Sequence, residues 1–188
     1  MPQLQPWKRL RSRWALNHRW CRVRQDTVEL PDGKLIDDYF VNVRPDVAMV
    51  LPLLPDERVL FVRQYRHGVQ KLLTELPAGT FDPQQESPTA AALRELQEET
   101  GYSADHLTPL GTLYDNPVKD TNQIHLFLAE AAYPVGQQQL DITEAIALVL
   151  IPLSEISQRI AQGELQVAGT VAALMLGLQV LTEKRQRR

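Results

Sequence analysis

The sequence predicts one domain of the α/β or α+β class, preceded by an antiparallel strand annex over residues 1–43. Strand-like alternation recurs along the chain with helical segments between and no internal repeat, which is the pattern of mixed architectures. One segment, residues 87–101, carries signals for both ends of a helix. The chain's 188 residues, 44% hydrophobic and 23% charged, suffice for a single buried core and are too apolar for a disordered chain.

Each element has its own justification. Trp20–Leu30 alternates in strand fashion, Pro31-Asp32-Gly33 is a turn signal, and Lys34–Val43 resumes the extended pattern, giving a hairpin. Val47–Leu54 and Arg58–Tyr65, joined by Pro55-Asp56-Glu57, read as a second and more buried hairpin. A short strand at Leu72–Leu76 leads into Pro77-Ala78-Gly79, and a loop runs on to Glu86. Ser87 is an N-cap, Pro88 suits the first helical position, and Gly101 follows the last helical residue, Thr100. Leu107–Tyr114 and Ile124–Ala131 read as strands around a loop holding Pro117, and Ala145–Ile151 as another buried strand. Two helices close the chain, Ser154–Gln162, capped by Ser154 and ended by Gly163, and Ala168–Glu183.

The net charge of -3 conceals a strong asymmetry. Residues 1–24 hold Lys8, Arg9, Arg11, Arg13, Arg19, Arg22 and Arg24 with no acid, and the C-terminus adds Lys184, Arg185, Arg187 and Arg188. The intervening residues, 25–183, carry 9 basic and all 23 acidic side chains. Trp7, Trp14 and Trp20 among the N-terminal arginines are what a nucleic-acid stacking surface would show, but the acidic body repels phosphate, so a solvated strand is the preferred account. No run approaches the roughly 20 apolar residues of a membrane span. The basic N-terminus lacks the apolar segment of a secretory signal, and its lone Ser12 gives little support for an organellar presequence. A single cysteine, Cys21, excludes an internal disulfide or thiolate cage and suits a reducing, cytoplasmic compartment. His18, His67, His106 and His125 have no metal-ligand spacing.

The helix carries the chemistry. Glu95, Glu98 and Glu99 stand at i, i+3 and i+4, within an arc of roughly 100° beside the apolar arc of Ala92, Leu93 and Leu96. Carboxylates so crowded repel one another and hold protons unless a cation compensates, and a hard divalent cation with oxygen ligands does so. Arg94, four residues before Glu98, can hold one carboxylate in place. A solvated acidic helix face is the bland alternative.

Gly79, Glu86 and Arg94-Glu95-Leu96-Gln97-Glu98-Glu99-Thr100-Gly101-Tyr102 resemble the Nudix box, G-x5-E-x7-R-E-U-x-E-E-x-G-U, with one residue more between Gly79 and Glu86 than the pattern has. The resemblance extends to the ADP-ribose pyrophosphatase branch. Glu75-Leu76-Pro77-Ala78-Gly79, Val62-Arg63-Gln64-Tyr65-Arg66, Ile124-His125-Leu126-Phe127-Leu128-Ala129 and Pro152-Leu153-Ser154-Glu155 are similar to its flanking segments, and Pro117 falls fifteen residues after Tyr102, as for ADP-sugar substrates. Two positions depart from it. Asn122 stands where the branch commonly has an acid, and where it often has two acids separated by two residues, Glu144 matches the first while Ala147 replaces the second.

The resemblance implies an α/β/α sandwich around a mixed sheet, with residues 1–43 as a possible dimerisation annex and 44–188 as the hydrolase domain. It implies Mg²⁺, with Mn²⁺ as a possible substitute, held by Glu95, Glu98, Glu99 and the carbonyl of Ala78, and supported by Gly79, Glu86 and Arg94. The implied reaction is hydrolysis of ADP-ribose to AMP and ribose 5-phosphate. GDP-mannose, NADH or a flavin nucleotide are alternative substrates, and a nucleotide-sensing regulator is an alternative role. Glu144 and Glu98 are the candidates for general base. Arg66 is a candidate phosphate or ribose contact, a surface ion pair being its other reading; Pro117 and Tyr39 are the remaining substrate-binding candidates, Tyr39 as a stacking ring or as packing. A homodimer is the implied assembly.

Overall fold

The computed structural model describes residues 4–187. Residues 1–3 of the annex, and Arg188 of the C-terminal basic run, lie outside the described residues. The chain forms two compact units, one of residues up to Pro45 with Tyr114–Asn122, the other of Asp46–Leu113 with the residues from Gln123 onward.

The first unit is a three-stranded antiparallel sheet, β1 (Lys8–His18), β2 (Cys21–Glu29) and β3 (Leu35–Asn42), in that order. The β2–β3 hairpin turns as expected at Gly33, whose φ of 82° suits glycine. The basic N-terminal segment is the solvated strand preferred for it, but its bounds and its pairing with β2 were not anticipated, and its register explains why. Irregularities between Arg9 and Arg11 and between Trp14 and Leu16 break the two-residue period that marks a strand in sequence. The 114–122 segment is tied to β3 through Tyr39, whose hydroxyl donates to the Val118 carbonyl at 2.8 Å, and through Asn42, whose amide donates to Asp120 at 2.7 Å.

The second unit is built on a mixed seven-stranded sheet. Its strands β4 (Asp46–Leu53), β5 (Arg58–Arg66), β9 (Leu107–Tyr114), β10 (Gln123–Glu130) and β12 (Ala147–Pro152) run in the order β12-β5-β4-β10-β9. Strand β6 (Lys71–Glu75) pairs with β5, and β7 (Ala78–Phe81) with β4. A two-stranded pair, β8 (Tyr102–Ser103) with β11 (Tyr133–Pro134), lies outside this sheet. The expected second hairpin is corrected here. Strands β4 and β5 share only the pair Leu53–Val59, while β4 runs parallel to β10 and β5 pairs antiparallel with β12 and β6. Both strands are apolar on both faces, so no inside–outside alternation fixes a hairpin register between them. Residues 78–81, expected as loop, form β7.

Helix α1 (Pro88–Thr100) has the expected caps, Ser87 accepting from the Ala90 N–H and Gly101 left-handed at φ 73°. Ser154 does not cap the next helix. It lies within a 3₁₀ turn, Leu153–Glu155, that precedes α2 (Ile156–Ala161). Helix α3 runs Ala168–Gln186, further than expected, because Lys184 and Arg185 pair with Glu130 and Glu57 and extend a helix end that favours cations.

Alternation along β4 and β10 divides the core. Ala48, Val50, Phe127 and Ala129 pack with Ala91, Ala92 and Leu96 of α1. Met49, Leu51, Leu126 and Leu128 face the other way, with Ile156 of α2 and Ala173, Leu174 and Leu181 of α3. The unit is thus a sheet covered by helices on both faces, the sandwich expected. Among the described residues no helix is long and apolar enough to cross a membrane.

Candidate active site

Helix α1 presents its carboxylates at the margin of its buried face. Ala92 and Leu96 anchor it to the sheet, and the same rotation leaves Glu95 only 8% and Glu99 only 3% exposed. Glu98, one step round, is half-exposed. Glu95 rests against Gly79 of β7, where an added Cβ would lie 2.0 Å from its carboxyl carbon, so only glycine fits there. Glu99 accepts the Ala78 N–H at 3.0 Å. The helix and β7 therefore meet through two carboxylates and a bare backbone.

Arg94 organises the remainder. Its Nη1 donates to Glu95 at 2.6 Å and to Glu98 at 2.9 Å, while Nε and Nη2 grip Glu86, the latter at 3.0 Å. Those hydrogen bonds, led by the one to Glu86, raise the guanidinium pKa further. Burial, more than mutual repulsion, pushes the Glu95 carboxyl up. It also pushes Glu99 up to about 8, with the charges of Glu95 and Glu144 adding to the effect and the Ala78 N–H and Arg66 opposing it.

A cavity of about 390 Å³ opens beside this helix, lined by Gly79, Thr80, Arg94, Glu95 and Glu98, and across from them by Gln139, Asp141 and Glu144. Glu144, far along the chain, is thus brought to the helix carboxylates. Its Oε2 accepts the Asp141 N–H at 3.0 Å while its own N–H donates to the Asp141 carbonyl at 2.9 Å, a closed turn. Asp141, Gln139 and Thr80 were not singled out from sequence. For Asp141 a signal existed, because Asp141 and Glu144 are themselves two acids separated by two residues.

Arg66 forms a bidentate pair with the buried Glu75, both contacts at 2.9 Å, and that pairing raises its pKa, with smaller contributions from Glu99 and Glu144. Tyr39 and Pro117 belong to the first unit. There the Tyr39 ring meets Trp7 edge-on at 5.5 Å and lies under Lys119, and Pro117 is exposed. Asn122, in the same unit, is 1% exposed and has no hydrogen-bond partner for either amide atom among the described residues.

The donor set suits a hard divalent cation, since the side chains of Glu95, Glu98 and Glu144 bring only carboxylate oxygens to the cavity. Among the described residues no three His, Cys, Asp or Glu side chains are already gathered into a metal-holding group, Arg94 lying among Glu86, Glu95 and Glu98 instead.

Sandwich and site together describe a mixed α/β protein whose cavity is lined by helix carboxylates. The family model of the NUDIX domain matches residues 43–170, and that of the nucleoside diphosphate sugar hydrolase N-terminal domain matches residues 7–42. An ADP-ribose pyrophosphatase of Bacillus subtilis is 31% identical over 150 residues, covering 79% of this chain and 80% of that protein. An ADP-ribose pyrophosphatase of Mycobacterium tuberculosis is 30% identical over 154 residues, covering 81% and 74%. A crystal structure of an ADP compounds hydrolase superposes with a TM-score of 0.86 at 26% identity, over 98% of both chains. The chain belongs to the Nudix hydrolase family and is ADP-ribose pyrophosphatase-like.

Proposed function

We propose that this protein hydrolyses ADP-ribose to AMP and ribose 5-phosphate with Mg²⁺ as its cation. The observation that carries the reading is the convergence of Glu95, Glu98 and Glu144 on one cavity. Glu95, Glu98 and Glu99, with the Ala78 carbonyl, are the groups that would hold the cation; Mn²⁺ shares the same oxygen preference. Bound there, the cation supplies charge neutralisation of the pyrophosphate and a more acidic water.

The chain's own residues do the rest. Glu144 has Oε2 engaged by the Asp141 N–H, which leaves Oε1 to take a proton from the attacking water. Glu98 is the second candidate for that proton. Water attacks one phosphorus, the bridging P–O bond breaks, and the departing phosphate keeps the bridging oxygen. Arg66 has Nε and Nη2 committed to Glu75, so Nη1 is the edge available to a phosphate oxygen. Gly79, Glu86 and Arg94 act by holding the loop against the helix. Tyr39 and Pro117 remain substrate-contact proposals from the resemblance. We also place residues 1–43 as a dimerisation annex to a hydrolase domain at 44–188, the assembly as a homodimer, and the protein in the cytoplasm; an uncovered β1 and a single free cysteine support these readings.

The test is nucleoside monophosphate release from ADP-ribose, NADH, FAD, GDP-mannose and dNTPs with Mg²⁺ or Mn²⁺. ADP-ribose is expected to lead. Glu98→Gln should lower turnover by roughly 10²–10⁴-fold, the span of a lost acid–base or charge-stabilising group, with an unchanged circular dichroism spectrum. Wild-type turnover in Glu98→Gln would remove the site assignment. GDP-mannose in first place would move the substrate within the family, and nucleotide binding without turnover would favour a sensor.

A further inference from the structure

The C-terminal end of α1 fastens the loop that bears Glu144. A helix leaves its last four carbonyls without intrahelical donors, and here the donors to three of them and to the carbonyl of the Gly101 cap are traceable. Thr100 returns its hydroxyl to the Leu96 carbonyl, and the Gly101 N–H closes on Gln97 at 2.8 Å. The remaining donors come from the loop after β11. The Val135 and Gly136 N–H groups reach the Gly101 carbonyl at 2.8 and 3.2 Å, the Gln139 N–H reaches the Glu98 carbonyl at 2.8 Å, and Gln138 Nε2 donates to the Glu99 carbonyl at 2.6 Å. Among these loop contacts, only that of Gln138 is made by a side chain.

We infer that Gln138 is a positioning residue for hydrolysis, its carboxamide locking the loop to α1 and thereby setting where the Glu144 carboxylate stands over the cavity. Glu98 lines the cavity with its carboxylate and, with Glu99, gives a carbonyl to this lock, so both walls of the cavity are referred to the same helix end. The attachment lies at the start of the segment and not at its tip. Gln138 is half-buried, whereas Asp141, Ile142 and Thr143 are exposed, and the turn is held within itself by the reciprocal Asp141–Glu144 bonds. Losing the Gln138 bond leaves the turn and the backbone bonds of Val135, Gly136 and Gln139 intact but loosens the placement of the turn, which is the signature of positioning as opposed to folding.

The inference rests on the proposed role of Glu144, whereas the lock itself is geometry. Gln138→Leu keeps the bulk and removes the donor; Gln138→Glu puts an acceptor against the carbonyl. Both are expected to speed amide hydrogen exchange across 139–146 by roughly five- to tenfold, the factor one hydrogen bond sets in an open–closed equilibrium, with exchange in α1 and the sheet unchanged. Turnover should fall by a similar factor while KM stays within about twofold. Unchanged exchange in both variants overturns the lock, and faster exchange with wild-type turnover overturns its part in catalysis. Glu144→Gln with wild-type turnover would instead overturn the reading of Glu144, and is told apart because the Gln138 contact and the protection it gives remain in that variant.

Discussion

Glu99 is a buried carboxyl whose ionisation is opposed by its surroundings. At 3% exposure its carboxyl is held neutral up to about 8, well above its ordinary 4.5, chiefly by burial. A carboxyl raised on folding stabilises the protein fully below the unfolded value and loses that stabilisation as pH climbs through the folded one. Without added metal, thermal melts should therefore fall steadily between about pH 4.5 and 8. Glu99→Gln should flatten that slope. A divalent cation requires the deprotonated carboxylate, so Mg²⁺ should raise the melting temperature more at pH 9 than at pH 6. An equal slope in Glu99→Gln would show that another group sets the dependence. The helical half of this site was legible because 3.6-residue spacing converts sequence positions directly into neighbours. Asp141, Gln138 and Gln139 were not, since a loop's contacts follow from a backbone path that carries no period. Crowding of like charges was also the wrong first cause of the raised carboxyls; the sequence cannot show that Glu99 lies behind Ala78, away from water.

At the scale of elements, Gly101 does two jobs that its sequence signal combined into one. It ends α1 in the left-handed region at φ 73°, which helix-cap patterns anticipate. It also admits the loop, for a Cβ there would lie 2.5 Å from the Gly136 carbonyl oxygen. Gly101→Ala should cost about 1–3 kcal/mol from the backbone conformation alone, a melting-point loss of roughly 2–12 °C in a chain of this size. Because the same change pushes Gly136 away, turnover should fall by more than the stability loss explains at 25 °C, where the protein stays folded. Wild-type turnover beside a lowered melting point would mean that the loop tolerates displacement. The caps of α1 and the turn at Gly33 were readable because each is decided by one or two side chains, whereas the Ser154 cap was not. Strand partners were not, as β4 and β5 show. Their central residues, Ala48–Leu51 and Val59–Val62, are apolar and buried on both faces, so no local pattern selects their neighbours.

For the whole molecule, the net charge of -3 is the sum of an acidic body and basic ends, and the proposed site accounts for part of the body alone. The C-terminal end is partly accounted for, since Lys184 and Arg185 pair with Glu130 and Glu57. Four of the seven N-terminal basic residues lie in β1, an eleven-residue strand exposed along its whole length and, among the described residues, paired on one side only, with β2. Trp7, Leu10, Trp14 and Leu16 are between 43% and 49% exposed in it or beside it. A long edge strand carrying apolar side chains invites a partner, and the arginines on the same strand limit the choice by repelling other basic surfaces. The proposed dimer answers both conditions if β1 meets an acidic surface of a second copy. Sedimentation velocity at micromolar concentration should then give a species of twice 21.4 kDa. Leu10→Lys combined with Leu16→Lys should weaken association at least tenfold, since it adds like charge and removes apolar area together. Raising the salt concentration should weaken the wild-type dimer less than this double change does, because the apolar contribution survives screening. A wild-type chain that sediments as a monomer, or a double variant that remains dimeric, would leave β1 without this role.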